Sequence, residues 1–322
     1  MSQLSDVPGI SVGHAHDSEK ITGCTVILTG EEGAVAGVDV RGGAPGSREN
    51  KLLDPEKRVE RVHGIFLTGG SAFGLEAAGG VMDYLREKKI GFPTGVIPVP
   101  IVPASVIFDL GVGSPQPPSA DMARRACEKC SEGEEKTSGN LGAGYGATVG
   151  KIMGGEGMMK GGLGQASTGL KSGVKIGVLV VVNCFGNVIE ADSGSVLAGT
   201  FDREKGLFIP AVSAMEEIDS TSRQNSNNTT LAVVATDAGL NKAEATKVAG
   251  MAQNGLARSI SPAHTMFDGD SVYAISTGVR QADISLLGEK AALLVSSAIE
   301  RAVRSARPLA GIPSHSGLVI DE

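Results

Sequence analysis

The feature that most constrains this chain is a series of short, β-branched apolar runs, each closed by glycine or by a polar turn. Cys24 to Leu28, Ala34 to Val40, Gly64 to Thr68, Lys175 to Asn183, 230 to 236 and 272 to 277 have the length and content of buried strands. Helical patterns bracket them. Leu75, Ala78, Met82 and Leu85 follow helical spacing behind Ser71, which is expected to cap that helix. Residues 119–125 read as helix, a second helix starts at Asn241 with Glu244 in capping-box position, and a long one runs from about Asp283 to Arg304. Prolines keep Val96 to Leu110 extended.

Strands bracketed by helices point to a layered α/β sandwich. The order is β-α-β-α after Thr229 and mostly strands before it. With no internal repeat, and no linker longer than the 218–228 loop, residues 1–322 are expected to form a single domain. Glycine sets the texture: 46 of 322 residues is about twice the usual share of roughly 7%. These glycines follow no strict repeat, so they indicate tight turns and close backbone approaches rather than a linker or collagen. Without tryptophan, and with 3% aromatic residues, the core must be built mainly from Val, Ile, Leu and Ala.

A net charge of -7 without a Lys/Arg cluster removes the electrostatic footprint of nucleic-acid binding. Met1 to Asp6 lacks a basic and an apolar region, and no apolar run approaches 18 residues, so no membrane partner and a cytoplasmic location are expected. Cys24, Cys127, Cys130 and Cys184 are too few for a disulfide framework, and Cys127/Cys130 form a lone CxxC. His14, His16 and Asp17 have no further ligand at metal-site spacing and read as a surface turn, so neither metal nor cofactor is expected. Gly150-Lys151 is followed by Ile152 and is no Walker loop. Gly142 to Ala147 satisfies GxGxxA but follows no buried strand, and Gly69 to Phe73 lacks the second glycine of a serine-hydrolase elbow.

The chemistry gathers at Asn225 to Thr236, where a polar, turn-forming segment runs into an apolar strand. Such a junction holds a hydroxyl still. Thr229 stands at its edge, within reach of the Asn228 carbonyl, and attack there would convert the Asn228-Thr229 amide to an ester. Hydrolysis would leave Thr229 as a new N-terminus. At a reference pKa of about 7.7 to 8.0, roughly 9 to 17% of its α-amine is neutral at pH 7 and can take the hydroxyl proton. By themselves these residues are described more simply as a polar loop before an ordinary strand. Asp268-Gly269-Asp270 precedes another strand and fits a capped turn, a metal pair or an orienting pair for Thr229. Lys151 fits a solvated side chain or a site cation, and Asn183 a structural amide or an oxyanion donor. Phe73 and Tyr145, with Ser71, are candidates to line a pocket, whether in an enzyme or in an uncleaved small-molecule binding protein.

Taken jointly, Val7 to His14, Asp39 to Gly46, Leu67 to Leu75, Asn183 to Gly186, Asn228 to Leu231 and Phe267 to Asp270 resemble a self-processing hydrolase family. It holds the L-aminopeptidase/D-esterases, the β-peptidyl aminopeptidases and the nylon-oligomer endohydrolases. The resemblance implies a four-layer αββα sandwich like that of N-terminal-nucleophile hydrolases, with different connectivity. It implies cleavage between Asn228 and Thr229 into an α chain 1–228 and a β chain 229–322, commonly as a homotetramer of processed pairs. It gives Thr229 the nucleophile's position and Asn183 that of the oxyanion-stabilising Asn. Asp268 and Asp270, with Lys151, look like the nylon-oligomer branch, whose substrates are oligoamides; the aminopeptidases act on small peptides and amino-acyl amides. The aminopeptidases carry a Glu where this chain has Ala104, which implies weaker selection for a free amino terminus; Asp109 is the other carboxylate in that segment.

Overall fold

The structure, a computed structural model, describes residues 2–132, 137–217 and 228–318. The polar segment before Asn228, residues 218–227, and residues 133–136 lie outside the described residues.

The principal strands are β1 (Ser11–Asp17), β2 (Thr22–Leu28), β3 (Ala34–Val40), β4 (Gly64–Thr68), β5 (Ala104–Val106), β6 (Gly162–Gly169), β7 (Lys175–Asn183), β8 (Thr229–Ala238) and β9 (Ser271–Arg280). The helices that cover them are α1 (Ala78–Glu87), α2 (Ala120–Lys129), α3 (Lys242–Ser259) and α4 (Ile284–Ser305). One sheet runs β1-β2-β4-β5 and ends on the two-residue strand Ser47–Arg48; the other runs β6-β7-β8-β9-β3 and ends on Arg61–Val62. The β8/β9 and β4/β5 pairs are parallel, and the remaining neighbours are antiparallel.

Alternation along the strands sorts the side chains into layers. Val178, Val180 and Val182 of β7, with Ala232 and Val234 of β8, pack with α3 and α4 residues such as Val248, Leu256, Val295 and Ile299. Their neighbours Leu179, Val181, Leu231 and Val233 point the other way, against Ile27, Ile65 and Leu67 of the first sheet. On that sheet's far side Val26, Phe66 and Ala104 pack with Val81, Leu85 and Met122 of α1 and α2. The layers are therefore α1/α2, sheet, sheet, α3/α4, the αββα order that the resemblance implied.

Glycine makes the close approaches possible. A Cβ on Gly164 of β6 would stand 2.0 Å from the Ala298 carbonyl oxygen of α4, and one on Gly80 of α1 2.0 Å from that of Ala120. Two sequence expectations differ from the structure. His14 belongs to β1 and is buried, with Nδ1 2.8 Å from Thr25 Oγ1, because its side chain lies on the strand face opposite Gly13 and α2, covered by the segment at Gly142. Ser71 makes no cap: it adopts a left-handed φ of 52° and opens a 3-10 segment, Ser71–Ala77, that precedes α1.

Candidate active site

At one end of the second sheet, β7 and β8 finish opposite each other with Asn183 paired to Thr229. By alternation both side chains lie on the face shared with the first sheet, as Val181 and Leu231 do. Thr229 is 5% exposed, and its hydroxyl donates to the carbonyl oxygen of Asn228. Gly269 N–H donates to that oxygen from the other side at 2.9 Å, and Asn228 N–H donates to Phe267 O at 3.1 Å. Asn228 thus continues the parallel β8/β9 register one residue ahead of Thr229, opposite Asp268. The amide that the sequence singles out is held with its carbonyl polarised and the hydroxyl against it.

Around this centre the polar side chains are held by defined partners. Asn183 Oδ1 accepts from Lys151 Nζ at 2.8 Å and from Thr148 N–H at 3.0 Å, while Nδ2 donates to Phe108 O at 3.2 Å. With its oxygen facing two donors, the amide is oriented and one Nδ2 proton remains available. Burial lowers the pKa of the Lys151 ammonium to about 8, partly offset by the nearby carboxyl groups of Asp268 and Asp109. Burial, and then the neighbouring Asp270, raise Asp268 to about 6. Asp268 Oδ1 accepts from Phe185 N–H at 3.1 Å, and Oδ2 from the Thr265 amide and hydroxyl. Asp270 Oδ1 accepts from Thr230 N–H at 2.7 Å, just past the nucleophile, and Oδ2 faces both His264 N–H and His264 Nδ1 at 3.0 Å. Asp268 thus closes the turn through Thr265, and Asp270 anchors β8 through Thr230.

The glycine-rich segment after β3 wraps this turn. Ala44 N–H donates to Asp268 O at 2.8 Å, and a Cβ on Gly42 would lie 2.2 Å from the same oxygen. Beside Asn228 and Thr229 opens a cavity of about 220 Å³, lined by Ala44, Pro45, Gly46, Ser71, Val106, Phe108 and Phe267, among others. Ser71 is the one pocket candidate from the sequence that reaches it.

The other three stand elsewhere. Ala104 is fully buried in the α1/α2 cluster, Tyr145 stacks on His16 with ring centroids 4.2 Å apart, and Phe73 is 71% exposed outside the lining. Asp109 is buried and already accepts from Thr22 Oγ1 and Gly70 N–H, both at 2.7 Å. Sequence reasoning passed over His264, Thr265, Phe267 and Phe108. Only Phe267 lay inside a singled-out motif, and none of the four sits at a spacing that signals its contact. Among the described residues no group of three or more His, Cys, Asp or Glu could hold a metal ion, and no helix is long and apolar enough to cross a membrane.

Residues 2–316 match the model of peptidase family S58. An uncharacterized aminopeptidase of Mycobacterium leprae is 38% identical over 99% of this chain and 94% of its own length. A 6-aminohexanoate-oligomer endohydrolase of Paenarthrobacter ureafaciens is 32% identical over 84% of this chain and 74% of its own. Among solved structures, the L-aminopeptidase D-Ala-esterase/amidase of Ochrobactrum anthropi, described as a new variant of the Ntn-hydrolase fold, superimposes with a TM-score of 0.72 at 19% identity. That match covers 95% of this chain and 86% of the other. A Burkholderia β-aminopeptidase gives 0.69 at 21%, covering 99% and 92%.

Proposed function

The chain belongs to peptidase family S58 and is a hydrolase of peptide amides, and on that premise we propose that it cuts itself between Asn228 and Thr229 and then uses the freed Thr229 as nucleophile. The observation that carries the proposal is the contact of the Thr229 hydroxyl with the Asn228 carbonyl, whose oxygen also accepts Gly269 N–H. The hydroxyl adds to the Asn228 carbon, Gly269 N–H takes part of the oxyanion's charge, and the C–N bond breaks as the hydroxyl proton passes to Thr229 N. Water then hydrolyses the ester, leaving a carboxylate on Asn228 and a free hydroxyl and amine on Thr229.

In turnover the α-amine takes the hydroxyl proton as Oγ attacks the substrate carbonyl, and returns it to the leaving amine. Asn183 Nδ2, oriented by Lys151 and Thr148, is an oxyanion donor beside Gly269 N–H; one such donor is worth about 10² to 10³ in rate. Asp268 and Asp270 act as positioning groups, holding the strand entrance through Phe185 and Thr230.

The substrate is an internal or otherwise neutral amide of a small peptide or oligoamide. Among the described residues no side chain that lines the cavity carries a carboxylate, and an ammonium desolvated without an anion is expensive. Neither Ala104 nor Asp109 supplies one there. The processed pairs assemble as homotetramers in this reading.

Intact mass spectrometry under denaturing conditions tests the proposal, with two fragments divided after Asn228 as the expected result and one chain for Thr229→Ala. A wild-type chain that stays whole on long incubation would sink it, as would cleavage of the substituted one.

A further inference from the structure

The linear ester formed during self-cleavage joins Asn228 C to Thr229 Oγ and leaves the Thr229 amine free. That is chemically an acyl-enzyme of Thr229 in which Asn228 is the acyl unit. What holds Asn228 in the uncut chain is therefore a template for a substrate's acyl unit. Two backbone contacts hold it at the edge of the cavity of about 220 Å³. Phe267 O accepts its N–H at 3.1 Å, and Gly269 N–H donates to its carbonyl at 2.9 Å. Both continue the parallel β8/β9 ladder, so they are strand-addition contacts that read the backbone of whatever lies there.

The side chain reports what the cavity offers. Asn228 is 2% exposed, yet neither Oδ1 nor Nδ2 has a hydrogen-bond partner among the described residues. A buried amide left unsatisfied is unfavourable, and nothing on the wall rewards this one. The cavity that Asn228 borders is lined mostly by small or apolar residues: Ala44, Pro45, Gly46, Val106, Phe108 and Phe267.

We propose that the place held by Asn228 is the acyl subsite of the mature enzyme, and that it selects acyl units presented as an extended peptide. The unit's own N–H donates to Phe267 O, its carbonyl accepts Gly269 N–H, and a compact side chain faces the cavity. This rests on the self-cleavage reading and extends it, since it names an acylated α-amino acid as the preferred acyl unit. Turnover then breaks the scissile C–N bond, forms the bond from acyl carbon to Thr229 Oγ, and sends the hydroxyl proton to the leaving amine. Water completes the cycle.

The test uses the purified wild-type protein, after intact mass has established the state of the Asn228-Thr229 bond. Three p-nitroanilides are compared by kcat/KM: N-acetyl-alanyl, N-acetyl-N-methyl-alanyl and free-amine alanyl. The methyl group removes one hydrogen-bond donor and leaves the scissile amide intact. The acetylated probe is expected to be turned over best and to lose about tenfold on N-methylation. Rapid denaturation during turnover should trap the N-acetyl-alanyl mass on the fragment that begins at Thr229.

Three results overturn the subsite. They are loss of less than twofold on N-methylation, preference for the free-amine probe, and failure of a self-cleaved protein to hydrolyse the acetylated one. Each leaves the self-cleavage reading intact. A chain that never cuts itself defeats that reading first and the subsite with it.

Discussion

Two asparagines flank Thr229, and their environments are opposites. Asn183, across the ladder on β7, is fully buried with its carboxamide engaged by Lys151, Thr148 and Phe108. Asn228, next in the chain, is almost as buried, yet only its backbone is held. Burial alone does not separate a working group from a passing one; the partners do. An amide held on three sides keeps its orientation when the substrate changes, as an oxyanion donor must. A residue gripped by backbone alone, with its side chain unpartnered, is the one that the proposed subsite would exchange for a substrate.

Replacing Asn183 should produce the largest effect. Asn183→Ala removes the proposed oxyanion donor, so kcat should fall about 10² to 10³. It also removes the Thr148 N–H acceptor and one of the two Asn183 acceptors of the Lys151 ammonium, leaving the backbone carbonyl at 3.2 Å, and a thermal melt should report destabilisation of about 1–3 kcal/mol. A variant with full activity would place the donor elsewhere and dissolve the contrast between the two residues.

Next comes Gly269→Ala. A Cβ there would stand 2.7 Å from Thr229 Oγ1 and 2.9 Å from Ala44 O, so the hydroxyl must leave its place against the Asn228 carbonyl. Uncut chain should accumulate on a denaturing gel, with self-cleavage slowed at least about tenfold, a rise of about 1.4 kcal/mol in the barrier. Cleavage at the wild-type rate would show that the Gly269 side of Asn228 is not confining.

Lys151→Met sharpens the comparison through pH. Burial holds the Lys151 ammonium near 8 in the folded chain, below its ordinary 10.5, so between those values the unfolded chain binds more protons. Stability owed to this group is therefore penalised in full below about pH 8 and recovers as pH rises toward 10.5. The difference in melting temperature between wild type and Lys151→Met should shift in the wild type's favour across that window and be flat below it. A constant difference would mean that the ammonium is not desolvated beside Asn183.

The smallest effect is expected from Asn228→Ala. Deleting an amide with no partner should change stability by less than about 1 kcal/mol, and the backbone contacts that place the scissile carbonyl survive, so self-cleavage should persist. A collapse of either, followed by melting and by mass, would make Asn228 a second held residue.

The sequence revealed the strands better than the site. β3, β4 and β7 have the expected bounds, because β-branched apolar runs between turn residues leave little choice. The capping box at Asn241 and Glu244 is present at the start of α3. β6 escaped notice: Gly162 to Gly169 is rich in Gly, Ser and Thr, since its face must let the backbone of α4 approach, and so it lacks a strand's usual content. At the site, the nearness of Asn183, Thr229 and Asp268 was accessible only through resemblance, because three distant segments meet through sheet pairing. Phe73, Ala104 and Tyr145 were matched by position in motifs, and a motif does not say which way a side chain points. In β5, Ala104 faces the helices while Ser105 reaches Tyr273 at 2.6 Å.

β8 lies in the middle of its sheet, between β7 and β9, and Thr229 is its first residue. A cut there would assign β7 and β3 to one polypeptide and β8 and β9 to the other, interleaved in a single ladder with a common interior. Neither piece could leave without exposing that interior, so the severed molecule would stay together. Its refolding, however, would become second-order. A chain folds once at a rate that dilution does not touch, and after the cut its two halves would have to find each other, making recovery depend on concentration. Maturation would make the loss of native structure far harder to reverse.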